Sequence, residues 1–233
     1  MPRIIAETDE VLVVHKPAGL ITHSDGRTVE PSLAEWLLKQ YPYLKGVGDP
    51  WVSPQGEEVP IAGLVHRLDR ATSGVMLVAK TPDAYAYLKN EFKERHVEKT
   101  YRAFVYGSME KDTGTIVAEI MRSSEPPRKW YARPCEREYK RAAITEWRVL
   151  KRLEIEKHPV SYLELSPKTG RTHQIRVHLA SIGHPIVGDH LYASDHPPVR
   201  EFTRPALHAY SIMLTLAGKR VTFVAPLPKG FDV

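Results

Sequence analysis

The sequence predicts an α+β protein built on a mixed, mostly antiparallel β-sheet that is flanked by helices and loops. Two observations support this fold class: apolar segments of strand length outnumber those with helical spacing, and after Thr100 they follow one another along the chain. Consecutive strands favour hairpins, whereas a doubly wound parallel sheet needs strands that alternate with helices. We find no internal repeat, low-complexity tract or clear linker, so residues 1–233 are expected to form a single domain.

Strands are predicted where short apolar runs rich in β-branched and aromatic residues end at turn residues. The predicted strands are residues 11–14, 61–65, 75–79, 101–106, 114–120, 142–150, 161–165, 209–216 and 220–225. Pro17 and Gly19 end the first of them, because neither residue favours continuation of a paired strand.

Helices are predicted where apolar residues recur at helical spacing. One follows Ser32, a second begins at Pro82, and a third runs from Thr172 as its N-cap to Gly183. Residues 46–60 contain three prolines and three glycines, and we expect them to form an irregular loop.

Composition indicates a soluble protein with an acidic partner. The formal net charge of +5 favours nucleic acid as that partner, although charge alone is a weak signal. The single cysteine, Cys135, excludes a disulfide within the chain and favours a reducing compartment. No apolar run approaches the ~20 residues that span a bilayer, and no signal peptide precedes Glu7. A cytoplasmic protein without a membrane partner is therefore expected.

A charge-dense segment lies between two of the predicted strands. It places Asp69 between Arg67 and Arg70 and continues with Thr72 and Ser73. Catalytic and binding groups commonly occupy loops that a rigid sheet carries, so this segment is a candidate site. From spacing alone, a surface turn in which Asp69 bonds to Thr72 and Ser73 is an equally good interpretation.

Blocks of sequence in a fixed order resemble the RluA-type pseudouridine synthases. They are residues 11–20 (VLVVHKPAGL), 64–80 (LVHRLDRATSGVMLVAK), 99–101 (KTY), 169–178 (TGRTHQIRVH) and 207–209 (LHA). The resemblance covers about residues 7–226 and implies the pseudouridine synthase fold and an RNA uridine isomerase without cofactor or metal. Family members often carry an N-terminal S4-like RNA-binding domain. Only ten residues precede Val11, so a stand-alone catalytic domain is expected.

The resemblance assigns catalytic roles to three residues. Asp69 matches the aspartate that attacks or stabilises the target uridine, and Arg176 matches the arginine that pairs with it. Tyr101 matches the tyrosine that stacks on the target base and moves a proton. Nearby arginines favour the ionised form of a carboxylate, and either role of Asp69 requires that form. Whether Asp69 attacks the base or the sugar stays open. From the residues alone, Arg176 would lie on a solvated helix face and Tyr101 would be a half-buried sheet residue.

Further residues are expected to bind RNA. Arg67 matches the family arginine that helps to expel the uridine from the RNA stack, an opening that costs a few kcal/mol; the alternative is a phosphate contact. Lys168 and Arg171 precede a predicted helix N-terminus, which favours phosphate. His173 lies three residues before Arg176 and therefore on roughly the same face of that helix.

Residues 122–141 contain seven Lys or Arg and three Glu, with Trp130, Tyr131 and Tyr139 among them. Basic residues contact an RNA backbone and aromatic rings stack on splayed bases, so this segment is a second candidate RNA surface. A solvated charged strand explains the same pattern.

Other classes of function are less well supported. His173 and His178 are five residues apart, whereas metal ligands on one helix face are four apart, and His184, Asp189 and His190 match a family turn that holds no metal. A serine hydrolase would need a Gly-x-Ser-x-Gly elbow, which the chain lacks.

A non-enzymatic RNA-binding module of the same fold remains the alternative to the enzyme. It would keep the basic surface and lose one of Asp69, Tyr101 and Arg176, all of which are present. The expected partner is ribosomal RNA, or alternatively transfer RNA, and the expected oligomeric state is a monomer.

Overall fold

The computed structural model describes residues 1–24, 30–53, 56, 58–124, 129–134, 142–199 and 201–231. The strands are β1 (Arg3–Glu7), β2 (Val11–Lys16), β3 (Trp51–Val52), β4 (Glu58–Val59), β5 (Ser73–Ala79), β6 (Glu98–Tyr106), β7 (Thr113–Arg122), β8 (Trp130–Arg133), β9 (Ala143–Ile155), β10 (His158–Pro167), β11 (Leu207–Leu216) and β12 (Lys219–Val224). The helices are α1 (Leu33–Gln40), α2 (Pro82–Lys93) and α3 (Gln174–Ser181), with a 3₁₀ turn at Pro42–Leu44.

The chain divides into two compact units. The first consists of Met1–Glu98 and Ala209–Pro226, and the second of Lys99–His208 and Leu227–Val233. The predicted single domain stays a prediction. Antiparallel pairing dominates the described strands, and helices are few, so the predicted fold class is confirmed.

In the first unit, β1, β2, β5, β11 and β12 pair in that order. Every residue of β5 is buried, which explains why its sequence is a continuous apolar run rather than an alternating one. The first four residues of β2 are buried beside it. Helices α1 and α2 add Leu33, Leu37 and Leu88 to this core.

In the second unit, β6, β10, β9, β7 and β8 pair in that order, each antiparallel to its neighbour. An aromatic cluster occupies the core, in which the rings of Phe104 and Tyr162 stack with centroids 4.5 Å apart. Phe231 contacts Phe104 edge to face. Helix α3 packs Ile175 and Leu179 into the same core.

The predicted strand at residues 61–65 is wrong. Ala62 and Gly63 have φ values of 51° and 71°, in the left-handed region, and this breaks an extended chain. Only Leu64 forms a bridge, to Val78 of β5. A Cβ at Gly63 would lie 2.1 Å from the carbonyl oxygen of Ala79, so the close approach of the two segments requires this glycine.

Other strand predictions need smaller corrections. Within residues 46–60, which were expected to be irregular, the described part contains the two-residue strands β3 and β4 as a hairpin. Strands β1 and β8 were not predicted, because both are short and neither is deeply buried.

Helices α1 and α2 confirm the predicted start signals. The Ser32 hydroxyl accepts a hydrogen bond from the Glu35 N–H, and the Glu35 carboxylate accepts one from the Ser32 N–H, which is a complete capping box. The Thr81 hydroxyl caps α2 by accepting from the Ala84 N–H, with Pro82 in the first turn.

Helix α3 differs from the prediction at its start. It begins at Gln174, and its N-cap is His173 with a left-handed φ of 54°, so the predicted N-cap at Thr172 is wrong. The predicted end is confirmed: the Gly183 N–H donates to the Ala180 carbonyl at 3.1 Å, and the next N–H continues a Schellman motif.

Among the described residues, none of the helices combines the length and the hydrophobicity that a membrane span requires.

We expect Gly74→Ala to lower the free energy of unfolding by about 3 kcal/mol or more. The added Cβ would lie 2.2 Å from the Ala209 carbonyl oxygen, and the φ of Gly74 is 137°. Gly46→Ala is the matched control, since nothing lies within 4 Å of its added Cβ, and we expect a change within about 0.5 kcal/mol. Urea denaturation measures both, and similar values for the two variants would contradict the prediction.

Candidate active site

In the first unit, Asp69 occupies a tight turn that follows a buried leucine. Its side chain is half-buried, whereas its neighbours Arg67 and Arg70 are exposed. The Thr72 N–H donates to the Asp69 carbonyl oxygen at 3.1 Å, which closes a β-turn. The turn considered as an alternative therefore exists, and the bond that closes it uses the backbone rather than the carboxylate of Asp69.

Two side chains, those of Thr22 and His66, fix the chain just before Asp69. The Thr22 hydroxyl donates to the Leu68 carbonyl oxygen at 2.9 Å and accepts from the Leu68 N–H at 3.2 Å. Nε2 of His66 accepts from the Leu77 N–H of β5 at 2.9 Å, and the His66 ring stacks on Phe92 with centroids 4.6 Å apart. The two His66 contacts attach the turn to β5 and to α2.

Lys16 supports the same turn from the end of β2. Its side chain is 0% exposed, and its ammonium donates to the carbonyl oxygens of Leu20, Pro17 and Arg70 at 2.7, 3.0 and 3.3 Å. The Gly19 N–H donates to that same Arg70 carbonyl at 2.8 Å. An ammonium has three donors and no acceptor, so carbonyl oxygens replace the water that burial removes. The sequence block was recognised, but this supporting role was not predicted.

The two arginines beside Asp69 differ in their surroundings. The Arg70 guanidinium forms an ion pair with Glu30, and both side chains are partly exposed to solvent. Such a solvent-accessible ion pair contributes about 1 kcal/mol at most to the free energy of unfolding. Arg67 is exposed, as an RNA contact requires, and its role stays a prediction.

In the second unit, Arg176 lies in a buried ion pair. Nε donates to Oδ2 of Asp189 at 2.7 Å and Nη2 donates to Oδ1 at 2.8 Å, a bidentate arrangement. Arg176 is 8% exposed and Asp189 1%, so the alternative of a solvated helix face is wrong. All six residues from Gln174 to Leu179 are buried, and the expected polar face of α3 is absent from them.

Asp189 belongs to the candidate site through its ion pair with Arg176, and the sequence analysis missed it. It was considered only as a member of a possible metal cluster, although its position directly after Gly188 in a family turn was the available signal. Besides Arg176, its Oδ1 accepts from the N–H groups of Leu191 and Tyr192, at 3.1 and 3.3 Å. The carboxylate therefore orders its own turn and holds the arginine. The expected pairing of Arg176 with Asp69 stays a prediction.

Tyr192 connects several groups around Arg176. Its ring centroid is 5.0 Å from the guanidinium carbon of Arg176, a cation–π distance. Its hydroxyl lies 2.9 Å from Nδ1 of His173 and accepts from the Trp130 N–H of β8 at 3.2 Å. His173, predicted to bind RNA, is thus also part of the arginine's surroundings.

Tyr101 is half-buried on β6, opposite Leu165 of β10, and packs against the core of the second unit. This position fits the alternative of an ordinary sheet residue as well as a ring that stacks on a base. Its catalytic role stays a prediction.

The predicted phosphate contacts lie on the loop before α3. Lys168 is exposed and forms an ion pair with Glu146 at 2.8 Å, so phosphate would have to compete with that carboxylate. Arg171 is exposed, and its backbone N–H donates to Oε1 of Gln174 at 3.0 Å. Phosphate binding here stays a prediction.

A buried polar network attaches α3 to β9. The Gln174 amide donates to the Ile144 carbonyl and the Thr145 hydroxyl, at 3.0 and 3.1 Å. The same hydroxyl is 2.9 Å from Nδ1 of His178. His178 is 0% exposed, and this burial lowers its pKa to about 4. The imidazole is therefore neutral near pH 7.

The basic segment at residues 122–141 is described only in part. Arg122 of β7 pairs with Trp130 of β8, and Arg122, Tyr131 and Arg133 are exposed. Tyr139 and Cys135 lie outside the described residues.

The histidines considered as metal ligands have other neighbours. Nδ1 of His184 lies 2.8 Å from the Tyr106 carbonyl oxygen, and Nε2 of His190 lies 3.3 Å from the Thr203 carbonyl oxygen. Across the described ranges, no group of three or more His, Cys, Asp or Glu is arranged to hold a metal ion.

Comparisons with a family model and with curated proteins point to the same family. The model of the family described as RNA pseudouridylate synthase matches residues 10–181. An uncharacterised RNA pseudouridine synthase of Synechocystis sp. is 37% identical over 231 residues, which cover 98% of this chain and 66% of that protein. Ribosomal large subunit pseudouridine synthase D of Nitrosomonas europaea is 36% identical over 234 residues, which cover 97% and 62%. The chain thus spans less than two thirds of the length of these curated relatives.

A solved structure resembles the whole chain. Human RNA pseudouridylate synthase domain containing 1 superposes with a TM-score of 0.74 at 28% identity, covering 100% of this chain and 86% of that one.

Arg176→Met should lower the free energy of unfolding by about 3–5 kcal/mol, because it leaves the Asp189 carboxylate buried without its bidentate partner. The matched control is Arg148→Met, which removes a largely exposed arginine that pairs with Glu164 at 2.7 Å. We expect the control to cost about 1 kcal/mol or less. Denaturant unfolding measures both, and an equal loss in the two variants would refute the buried pair.

His178 should make stability fall in acid. Its pKa in the folded protein, about 4, is below the ordinary value of 6.5, so the unfolded chain binds the proton first. The contribution of neutral His178 to the free energy of unfolding is fully present above about pH 6.5. The free energy of unfolding then decreases by up to about 3 kcal/mol as the pH falls towards 4. In His178→Gln this part of the pH dependence should disappear, whereas His190→Gln, at an exposed position, should retain it. Parallel stability–pH curves for native protein and His178→Gln would contradict the prediction.

Proposed function

Because the chain belongs to the RNA pseudouridylate synthase family, we propose that it converts uridine in RNA into pseudouridine. The observation that carries the proposal is the family match over residues 10–181, a range that contains Asp69, Tyr101 and Arg176. In this reaction the bond from ribose C1′ to N1 of uracil breaks and a bond from C1′ to C5 forms. The proton on C5 leaves and N1 gains one, so the isomerisation balances without oxidant or reductant.

Asp69 is the proposed reacting carboxylate. Attack on the base or sugar requires an ionised and partly accessible oxygen, and stabilisation of positive charge on the sugar requires the same. The half-buried position of Asp69 on an anchored turn supports this role, since the backbone bonds of Leu68 and Arg70 hold the turn in place. An anchored carboxylate loses little entropy when substrate binds.

Arg67 is the proposed residue for opening the RNA stack. A base inside a stack must leave it before a carboxylate can reach it, at a cost of a few kcal/mol. Arg67 is exposed two residues before Asp69, and a planar guanidinium can stack in the place that the base vacates.

Tyr101 and Arg176 are the proposed partners in the chemistry. A tyrosine ring stacks on a base and its phenol moves the proton that leaves C5. The guanidinium of Arg176 would stabilise negative charge on the reacting groups. Support for Arg176 comes from its buried and bidentate fixation, which gives it one orientation.

The proposed substrate is RNA of the large ribosomal subunit, with transfer RNA as the alternative. The Nitrosomonas relative is named for the large ribosomal subunit, and the formal net charge of +5 favours a phosphate backbone. Lys168, Arg171 and His173 are proposed to contact that backbone. The proposed compartment is the cytoplasm, where such RNA would be available.

Tritium release tests this function directly. RNA carrying tritium at C5 of uridine, from cells that lack the enzyme, is incubated with native protein, with Asp69→Asn and with Asp9→Asn. We expect native protein and the exposed control Asp9→Asn to release tritium equally, and Asp69→Asn to be slower by about 10³-fold or more.

The ribosomal and transfer RNA fractions are assayed separately, which identifies the substrate class. No release from either fraction by native protein that still binds RNA would refute the enzyme and favour a binding module. Equal release by native protein and Asp69→Asn would refute the catalytic role of Asp69.

A further inference from the structure

The turn at residues 189–192 holds the Arg176 guanidinium in two directions. The Asp189 carboxylate bonds to its edge through Nε and Nη2, which fixes the rotation of the guanidinium within its own plane. The Tyr192 ring lies against the same group at 5.0 Å. Two hydrogen bonds at one edge still allow the guanidinium to tilt out of its own plane. A ring packed against the group limits that motion.

The Tyr192 ring is itself fixed at its hydroxyl. A phenol has one proton to donate and lone pairs to accept. It accepts from the Trp130 N–H at 3.2 Å, and it can donate to Nδ1 of His173 at 2.9 Å. The two partners belong to different segments, strand β8 and the N-cap of α3, so the hydroxyl links both to the arginine.

We propose that Tyr192 is a positioning residue that holds Arg176 in its reactive orientation and couples it to strand β8 and to His173. The inference rests on the proposed function, in which Arg176 acts on the reacting uridine. A misplacement of about 1 Å in a reacting group can cost about 100-fold in rate, so a side chain that removes such freedom affects the chemical step.

A purely structural role of Tyr192 makes a different prediction. Tyr106 offers the comparison, because it lies in the same unit, is 5% exposed, and donates its hydroxyl to the Pro197 carbonyl at 2.8 Å. The same hydroxyl also bonds to the Gly188 backbone, one residue before Asp189, so Tyr106 supports the neighbouring turn without a hydrogen bond to Arg176. Loss of either hydroxyl removes partly buried hydrogen bonds and should lower the melting temperature. Only the loss at Tyr192 should also change the rate of the reaction.

The experiment compares Tyr192→Phe, Tyr192→Leu and Tyr106→Phe with native protein on the RNA that native protein modifies. Single-turnover tritium release at saturating enzyme gives the rate of the chemical step, and filter binding gives the RNA Kd. Thermal unfolding gives the folded fraction at the assay temperature, to which each rate is normalised.

We expect Tyr192→Phe to slow the single-turnover rate by about tenfold, because the hydroxyl that links Trp130 and His173 to the arginine is lost. Tyr192→Leu also removes the ring and should slow it by about 100-fold. The RNA Kd should stay within about threefold, because the basic side chains that contact phosphate are unchanged. Tyr106→Phe should keep the native rate within about twofold.

A native rate in Tyr192→Phe overturns the coupling through the hydroxyl, and equal rates in the Phe and Leu variants overturn the role of the ring. A loss that disappears after correction for the folded fraction, or that Tyr106→Phe shares, also overturns the inference. Absence of turnover by native protein is a separate result, since it refutes the proposed function itself. Turnover by native protein but not by Asp69→Asn, with normal Tyr192 variants, refutes this inference alone.

Discussion

Burial of a positive charge is the constraint on which the candidate residues of both units depend. A cation removed from water costs several kcal/mol unless other groups replace its hydration. In the first unit, carbonyl oxygens surround the Lys16 ammonium, and one of them belongs to Arg70 beside Asp69. In the second, a carboxylate and an aromatic ring surround Arg176. Movement of either candidate segment would leave a buried charge without compensation, so the structure holds both segments in place independently of any substrate.

Features set by local sequence were predictable. Ser32 indicates a helix start and Gly183 indicates a helix end, because the responsible hydrogen bonds join residues a few positions apart. The antiparallel fold class followed from the succession of apolar strand-length segments. The turn at Asp69 was recognised for the same reason, since a short polar segment between apolar runs has few structures available.

Features set by distant contacts were not predictable. The strand expected at residues 61–65 fails because the left-handed Ala62 and Gly63 come against β5, a contact that apolar periodicity cannot reveal. The start of α3 was misplaced because Gln174 folds its side chain back onto the preceding loop. Asp189 is thirteen residues from Arg176 along the chain, and a carboxylate in a loop gives no indication of which cation it will meet.

Strand β8 ends the order of strands in the second unit, and such edge strands can recruit strands of other chains through their exposed N–H groups. At Trp130 that group is already bound by the Tyr192 hydroxyl. The strand is only four residues long, and the positive charge of Lys129 and Arg133 discourages a second copy from pairing there. The hairpin of β7 and β8 can therefore present exposed aromatic and basic side chains to solvent and still be a poor template for aggregation.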